Sequence, residues 1–290
     1  MRARVRAVAK AIGVLVAFVV VEGLFGWELR DRFDRFVPGH GPERDLHVRG
    51  MADFLGAALA TLLIGRWAPT RLGVAPARDV LPGAATGFGI GAAAGVIALA
   101  LAVPAGGAAW SLDGGTAAEW LRHVGVLVVL LLPAAAFEEL VCRGVPFRVL
   151  AGLLGAPVAA ILLSAAFAAL HLSNPGITPL ALVAIFCAGL FLTLAVLARG
   201  GLWTATGAHL GWNLALAALA APVSGLAMPA PLLDYAPGGP AWLTGGAFGP
   251  EGGALGLVAL LLAAAAMAWW RAQAPPAPAG ADPSAQDGIP

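Results

Sequence analysis

VGVLVVLLLPAAAFEELVCR, residues 124–143, is apolar and long enough to enter a lipid bilayer, yet it ends in Glu138, Glu139 and Arg143. Ionisable groups in a membrane segment are costly, so a functional site is their first explanation. Helical spacing sorts the three charges. Glu139 and Arg143 stand one turn apart on one face and can pair. Glu138 is turned about 100° from its neighbour, which leaves its carboxylate free. One carboxylate is thus neutralised by arginine and the other is available for chemistry.

Working outward, the next apolar run ends near His171. The midpoint between Glu138 and His171 falls at Leu154 and Gly155, inside a stretch with Gly152, Gly155 and Pro157. Glycine and a following proline suit a turn between two helices. Each residue would lie roughly 24 Å from that turn. An antiparallel hairpin then carries them to the same depth, where a carboxylate facing an imidazole can activate water.

Composition agrees with a membrane chain. Of 290 residues, 60% are hydrophobic and 11% charged, against about 25% charged in soluble domains. The mean hydropathy is +0.86. The net charge of +1 gives a nucleic-acid partner no support. Cys142 and Cys187 both lie in apolar runs and read as packing residues.

The expected fold class is all-α, a polytopic transmembrane helical bundle of about eight spans with the active site in a membrane cavity. The spans fall at 11–26, 52–64, 81–103, 124–150, 156–172, 178–198, 202–221 and 254–270. Residues 28–49 read as a charged surface loop. Pro133 predicts a kink in the fourth span. In the third, Gly83, Gly87, Gly91 and Gly95 recur every fourth residue, a small-residue face for close packing. Four regions follow: N-terminal spans and loop at 1–117, a core at 118–221, a Pro/Gly-rich loop and last span at 222–271, and a disordered tail at 272–290. The Lys and Arg bias between loops places both termini in the cytoplasm, with the chain multi-pass in the cell (inner) membrane.

Other polar residues sit inside apolar runs. His209 and Asn213 stand one turn apart on the seventh span, flanked by Gly207 and Gly211. Two donors on one face can hold a developing oxyanion. Phe167 precedes His171 by one turn and can wall the site. Phe186 and Gly189 on the sixth span are positions for cavity lining or for core packing. His40, His47 and His123 lie in loops or at an interface and receive no role.

The chemistry these residues fit is hydrolysis. Glu138 with His171 deprotonates a water, and Glu138 returns the proton to the leaving amine. His209 and Asn213 stabilise the tetrahedral oxyanion. No cofactor is required on this reading. Zinc is the alternative, held by Glu138, His171 and His209, although the sequence lacks His-Glu-x-x-His.

Glu138-Glu139-x-x-x-Arg143, Phe167-x-x-x-His171 and His209-x-x-x-Asn213 together resemble the three motifs of the CPBP intramembrane proteases. This is the CAAX protease and bacteriocin-processing, or Abi, family, which includes the Rce1-type CAAX prenyl endopeptidases. The resemblance covers about residues 118–220. Each motif alone is weak; the three in order are specific. The resemblance implies a helical membrane fold, with Glu138 and His171 as the water-activating pair and His209 and Asn213 as the oxyanion pair. It makes Glu139, Arg143 and Phe167 supporting residues. It leaves the metal open, since the family has been described as both metalloproteases and glutamate-dependent proteases. The stretch 245–253, GGAFGPEGG, is also similar to bacterial members.

The expected partners are the membrane and a peptide or protein substrate. A transporter or scaffold using the polar cluster is the competing reading, though no inverted repeat is visible. A bacteriocin-immunity type of family member is another.

Overall fold

The structure, a computed structural model, describes residues 2–37, 42–65 and 75–273. In chain order these form α1 (Arg2–Phe36), α2 (Pro42–Ile64), α3 (Ala77–Ala102), β1 (Ala108–Ser111), α4 (Ala117–Arg143) and α5 (Val145–Leu154). Then come α6 (Ala156–Leu170), α7 (Pro179–Val196), α8 (Leu202–Ala218), β2 (Asp234–Pro237), α9 (Ala241–Thr244), two 3₁₀ turns (Gly246–Phe248 and Pro250–Gly252) and α10 (Ala254–Ala272). The chain is a polytopic all-α bundle. Helices form at all eight expected positions. Among the described residues, six helical segments, at α1, α2, α3, α4 with α5, α7 and α10, are long and apolar enough to cross a membrane. α6 is a shorter apolar helix of 15 residues.

α8 is the axis of the bundle, packed by α3, α4 and α7. Most of its side chains are buried, so protein rather than lipid surrounds its polar residues. The glycine face of α3 meets it directly. A methyl on Gly87 would lie 2.1 Å from the Thr204 carbonyl oxygen, and one on Gly91 2.0 Å from that of Ala208. From the other side, a methyl on Gly207 would lie 2.2 Å from the Ala84 carbonyl oxygen. The two backbones touch, as small-residue faces in membranes allow.

The C-terminal end of α8 is held by indoles. Trp120 Nε1 donates to Ala218 O at 2.8 Å and Trp110 Nε1 to Leu219 O at 2.7 Å. Both are carbonyls that the helix end leaves without an intrahelical partner. Trp110 reaches this place because β1 pairs antiparallel with β2, opposite Tyr235. Sequence reading treated both segments as loop, since four-residue strands carry too little alternation to register.

Three further expectations need correction. The charged stretch 28–49 is mostly helix, not surface loop. Glu28–Arg32 and Asp31–Arg35 form i,i+4 ion pairs at 2.8 and 2.5 Å that favour helix, and Arg30 pairs with Asp53 on α2. The fourth span is interrupted at Gly144, beyond Pro133, where φ and ψ are −80° and −126°. It begins earlier than expected because Thr116 and Glu119 form a capping box. The fifth span stops one residue short of His171, which caps α6. The turn at Gly155 forms with φ +84°. His40, Arg66, Arg71 and residues 274–290 of the expected tail lie outside the described residues.

Candidate active site

The last turn of α4 projects Glu139 and Arg143 into the protein, both side chains fully buried. Arg143 Nη1 donates to Glu139 Oε1 at 3.2 Å and Nη2 to the Gly189 carbonyl of α7 at 3.1 Å. Its guanidinium also lies 4.4 Å from the centroid of the Phe167 ring. One arginine therefore ties α4 to α6 and α7. Such a buried charge is tolerated only while its partner and hydrogen bonds remain.

Glu139 has a second role. Its Oε1 lies 2.9 Å from His209 Nδ1. A carboxylate held as a charge by arginine accepts, so Nδ1 donates and the ring is oriented with Nε2 pointing onward. Nε2 lies 3.7 Å from Glu138 Oε2, too long for a hydrogen bond and short enough for strong charge interaction. Oε2 of Glu138 is buried and has no hydrogen-bond partner.

His171 is oriented by the same logic. Its Nδ1 lies 2.8 Å from the Phe167 carbonyl oxygen, which can only accept, so Nδ1 carries the proton and Nε2 is the free acceptor. The Phe167 ring stands between the histidines, 4.9 Å from His171 and 6.0 Å from His209.

A cavity with ≈ 490 Å³ of empty space, part of it open solvent, has His171, His209 and Asn213 on its wall. Ile185, Ala188 and Leu192 of α7 supply an apolar side. Thus Glu138, Glu139, Arg143, Phe167, His171, His209 and Asn213 converge from α4, α6 and α8.

The arrangement goes beyond the sequence reading in two respects. Glu138 Oε2 lies 3.7 Å from His209 Nε2, a proximity across 71 positions that spacing alone does not foresee. The hairpin expected between Glu138 and His171 forms at the Gly155 turn between α5 and α6, but the break at Gly144 separates α5 from the segment of α4 that carries Glu138. Of the two roles open to Phe186 and Gly189, core packing holds, and neither is on the cavity wall. Gly189 faces Ser164, to which a methyl would approach within 2.8 Å, and its carbonyl takes hydrogen bonds from Arg143 and Thr193.

Glu251 was not identified from sequence. It lines the same cavity, 8% exposed. Trp212 Nε1 donates to its Oε2 at 2.7 Å, and the Ser224 backbone N–H donates to its Oε1. Its surroundings, a Gly- and Pro-rich loop, have no periodicity that would place it. The only available signal was the likeness of 245–253 to bacterial sequences.

Fold and cavity together define a polytopic helical membrane protein enclosing a cluster of carboxylates and histidines. Residues 120–215 match the family described as type II CAAX prenyl endopeptidase Rce1-like, the same family to which the motifs pointed. That family is one of proteases, and the matched segment contains all three motifs. No curated protein and no solved structure matches the chain.

Proposed function

We propose that the protein is an intramembrane endopeptidase that hydrolyses peptide bonds with a water activated by Glu138. The observation that carries this reading is the Glu138 carboxylate itself. It is the acid of the α4 pair not tied to Arg143, and its Oε2 lies 3.7 Å from Nε2 of His209, whose ring is on the cavity wall with His171 and Asn213.

In this mechanism Glu138 accepts a proton from water, and the lone pair of His171 Nε2 orients that water. The water oxygen bonds to the scissile carbonyl carbon. Negative charge on the carbonyl oxygen is met by the Asn213 amide and by His209 Nε2–H in the imidazolium form. An imidazolium there balances the cluster, with Glu138 and Glu139 against Arg143 and His209. Collapse breaks the C–N bond, and Glu138 delivers its proton to the leaving nitrogen. The apolar lining suits a substrate segment with apolar side chains.

Zinc was the alternative held open by the residue types. Among the described residues no group of three His, Cys, Asp or Glu is placed to hold a metal ion. The Nδ1 atoms of His171 and His209 are engaged by a backbone carbonyl and a carboxylate, an orientation that leaves each Nε2 available and that metal-binding histidines also use. No step is therefore routed through a metal.

The test is cleavage of a peptide library, prenylated and unmodified, by the purified protein in detergent. Wild type and Glu138→Gln are compared with and without a strong chelator. Cleavage that survives chelator and is lost in Glu138→Gln is expected. Loss with chelator would shift the reading to zinc, and no wild-type cleavage of any peptide would remove it.

A further inference from the structure

Three loops interlock beside the cavity, and one acid joins them. The α6–α7 turn follows His171, residues 222–226 follow α8, and residues 245–253 precede α10. Gly225 N donates to the Phe248 carbonyl oxygen at 2.8 Å, and a methyl on Gly225 would lie 2.0 Å from that of Pro175. The third loop is folded so tightly that a methyl on Gly245 would lie 1.8 Å from the Gly249 carbonyl oxygen, with Gly245 at φ +90°. These contacts account for its glycine density. They also fix the single carboxylate that the loop turns into the cavity, Glu251.

From Glu251 the hydrogen bonds run in two directions. On one side Oε2 accepts from the Trp212 indole, on the helix that carries His209 and Asn213. On the other, Oε1 accepts from the Ser224 backbone N–H. The Ser224 carbonyl accepts from Asn174 Nδ2 at 2.8 Å, and Asn174 N–H donates to the His171 carbonyl at 3.0 Å. Ser224 itself is in the left-handed region, with φ +49°. That conformation is unfavourable for a residue with a Cβ and persists only when its surroundings hold it. Here both its backbone groups are held, one by Glu251 and one by Asn174.

We propose that Glu251 is a positioning residue of the active site, which ties the turn carrying His171 to the helix carrying His209 and Asn213. The proposal rests on the proteolytic reading of the same cavity. It explains why a charge is kept in a loop otherwise built of Gly, Pro and apolar residues. Misplacement of reacting groups by about 1 Å costs on the order of 10²-fold in rate, so this tie belongs to catalysis as well as to folding. It predicts a loss in kcat, not in KM, because the groups displaced are those that act on the reacting atoms.

The test compares Glu251→Gln, Asn174→Ala and the double variant with wild type, as full-length protein in detergent. Kinetics are normalised to the monodisperse fraction. Glu251→Gln is expected to lower kcat by on the order of 10–100-fold with KM within about threefold of wild type. The double variant is expected to lose no more than Glu251→Gln alone, since both break one chain. Hydrogen exchange supplies a readout independent of cleavage. Amides at 171–177 are expected to exchange faster in either single variant while those of α3 and α8 keep their protection. Losses that add, a change confined to KM, unchanged exchange at 171–177, or exchange raised throughout α3 and α8 would each overturn the proposal. Asn174→Ala carries the same exchange expectation if Glu251→Gln does not fold. A wild type that cleaves nothing would remove the proteolytic reading, while exchange still decides whether Glu251 holds the His171 turn.

Discussion

Glu138 and Glu139 are adjacent in sequence and opposite in circumstance. Glu139 is locked through Oε1 by Arg143 and His209, whereas Glu138 approaches His209 only to 3.7 Å and has no contact with Arg143 among the ion pairs of the described residues. Replacement should separate them. Glu138→Gln should retain the fold and lose cleavage by on the order of 10²–10⁴-fold, the usual worth of a general base, as measured by turnover beside a thermal melt. Arg143→Ala should instead destabilise by about 3–5 kcal/mol, because it leaves the Glu139 charge buried and uncompensated. A melting temperature near that of wild type would refute this division. The i,i+4 pairing was legible because helical geometry alone brings residues four apart together. The His209 contact to Glu139 was not, since it joins residues 70 apart in the chain.

At the scale of elements, the contact between α3 and α8 limits what the bundle tolerates. Gly91→Ala would place a methyl 2.0 Å from the Ala208 carbonyl oxygen, which backbone cannot yield without shifting a helix. The expected cost is at least about 1–3 kcal/mol, the usual effect of overpacking, read as a lowered melting temperature. Gly89, with nothing within 4 Å of an added methyl, serves as the control. Trp120→Phe should be milder, about 1 kcal/mol, because it removes one hydrogen bond at the end of α8 and keeps most of the ring. The glycine face was legible from a period of four. The interruption at Gly144 was not, because glycine is also tolerated within membrane helices.

Across the whole molecule, α1 stands apart from the site, packed on α2 and α5. Ala11, Val14 and Phe18 of α1 pack with Ala60 and Ile64 of α2 and with Val145 and Val149 of α5, a cluster separate from the main core. Phe18→Ala should weaken that docking by about 3–5 kcal/mol and leave the cleavage rate per folded molecule unchanged. Melting and turnover measured on one preparation check this. A fall in turnover with the fold intact would show that α1 shapes the cavity.

The sequence by itself determined the all-helical membrane class, the helix-forming regions, the α3 glycine face and the identity of the residues that converge. Each follows from local spacing or hydropathy, which the chain shows along its own length. Only the tertiary structure decided that Glu138 lies beside His209, that two tryptophans close the end of α8, and that Glu251 enters the cavity. Those contacts join loops and helices far apart in sequence, and no periodic pattern encodes which backbone turn will bring them within hydrogen-bonding reach.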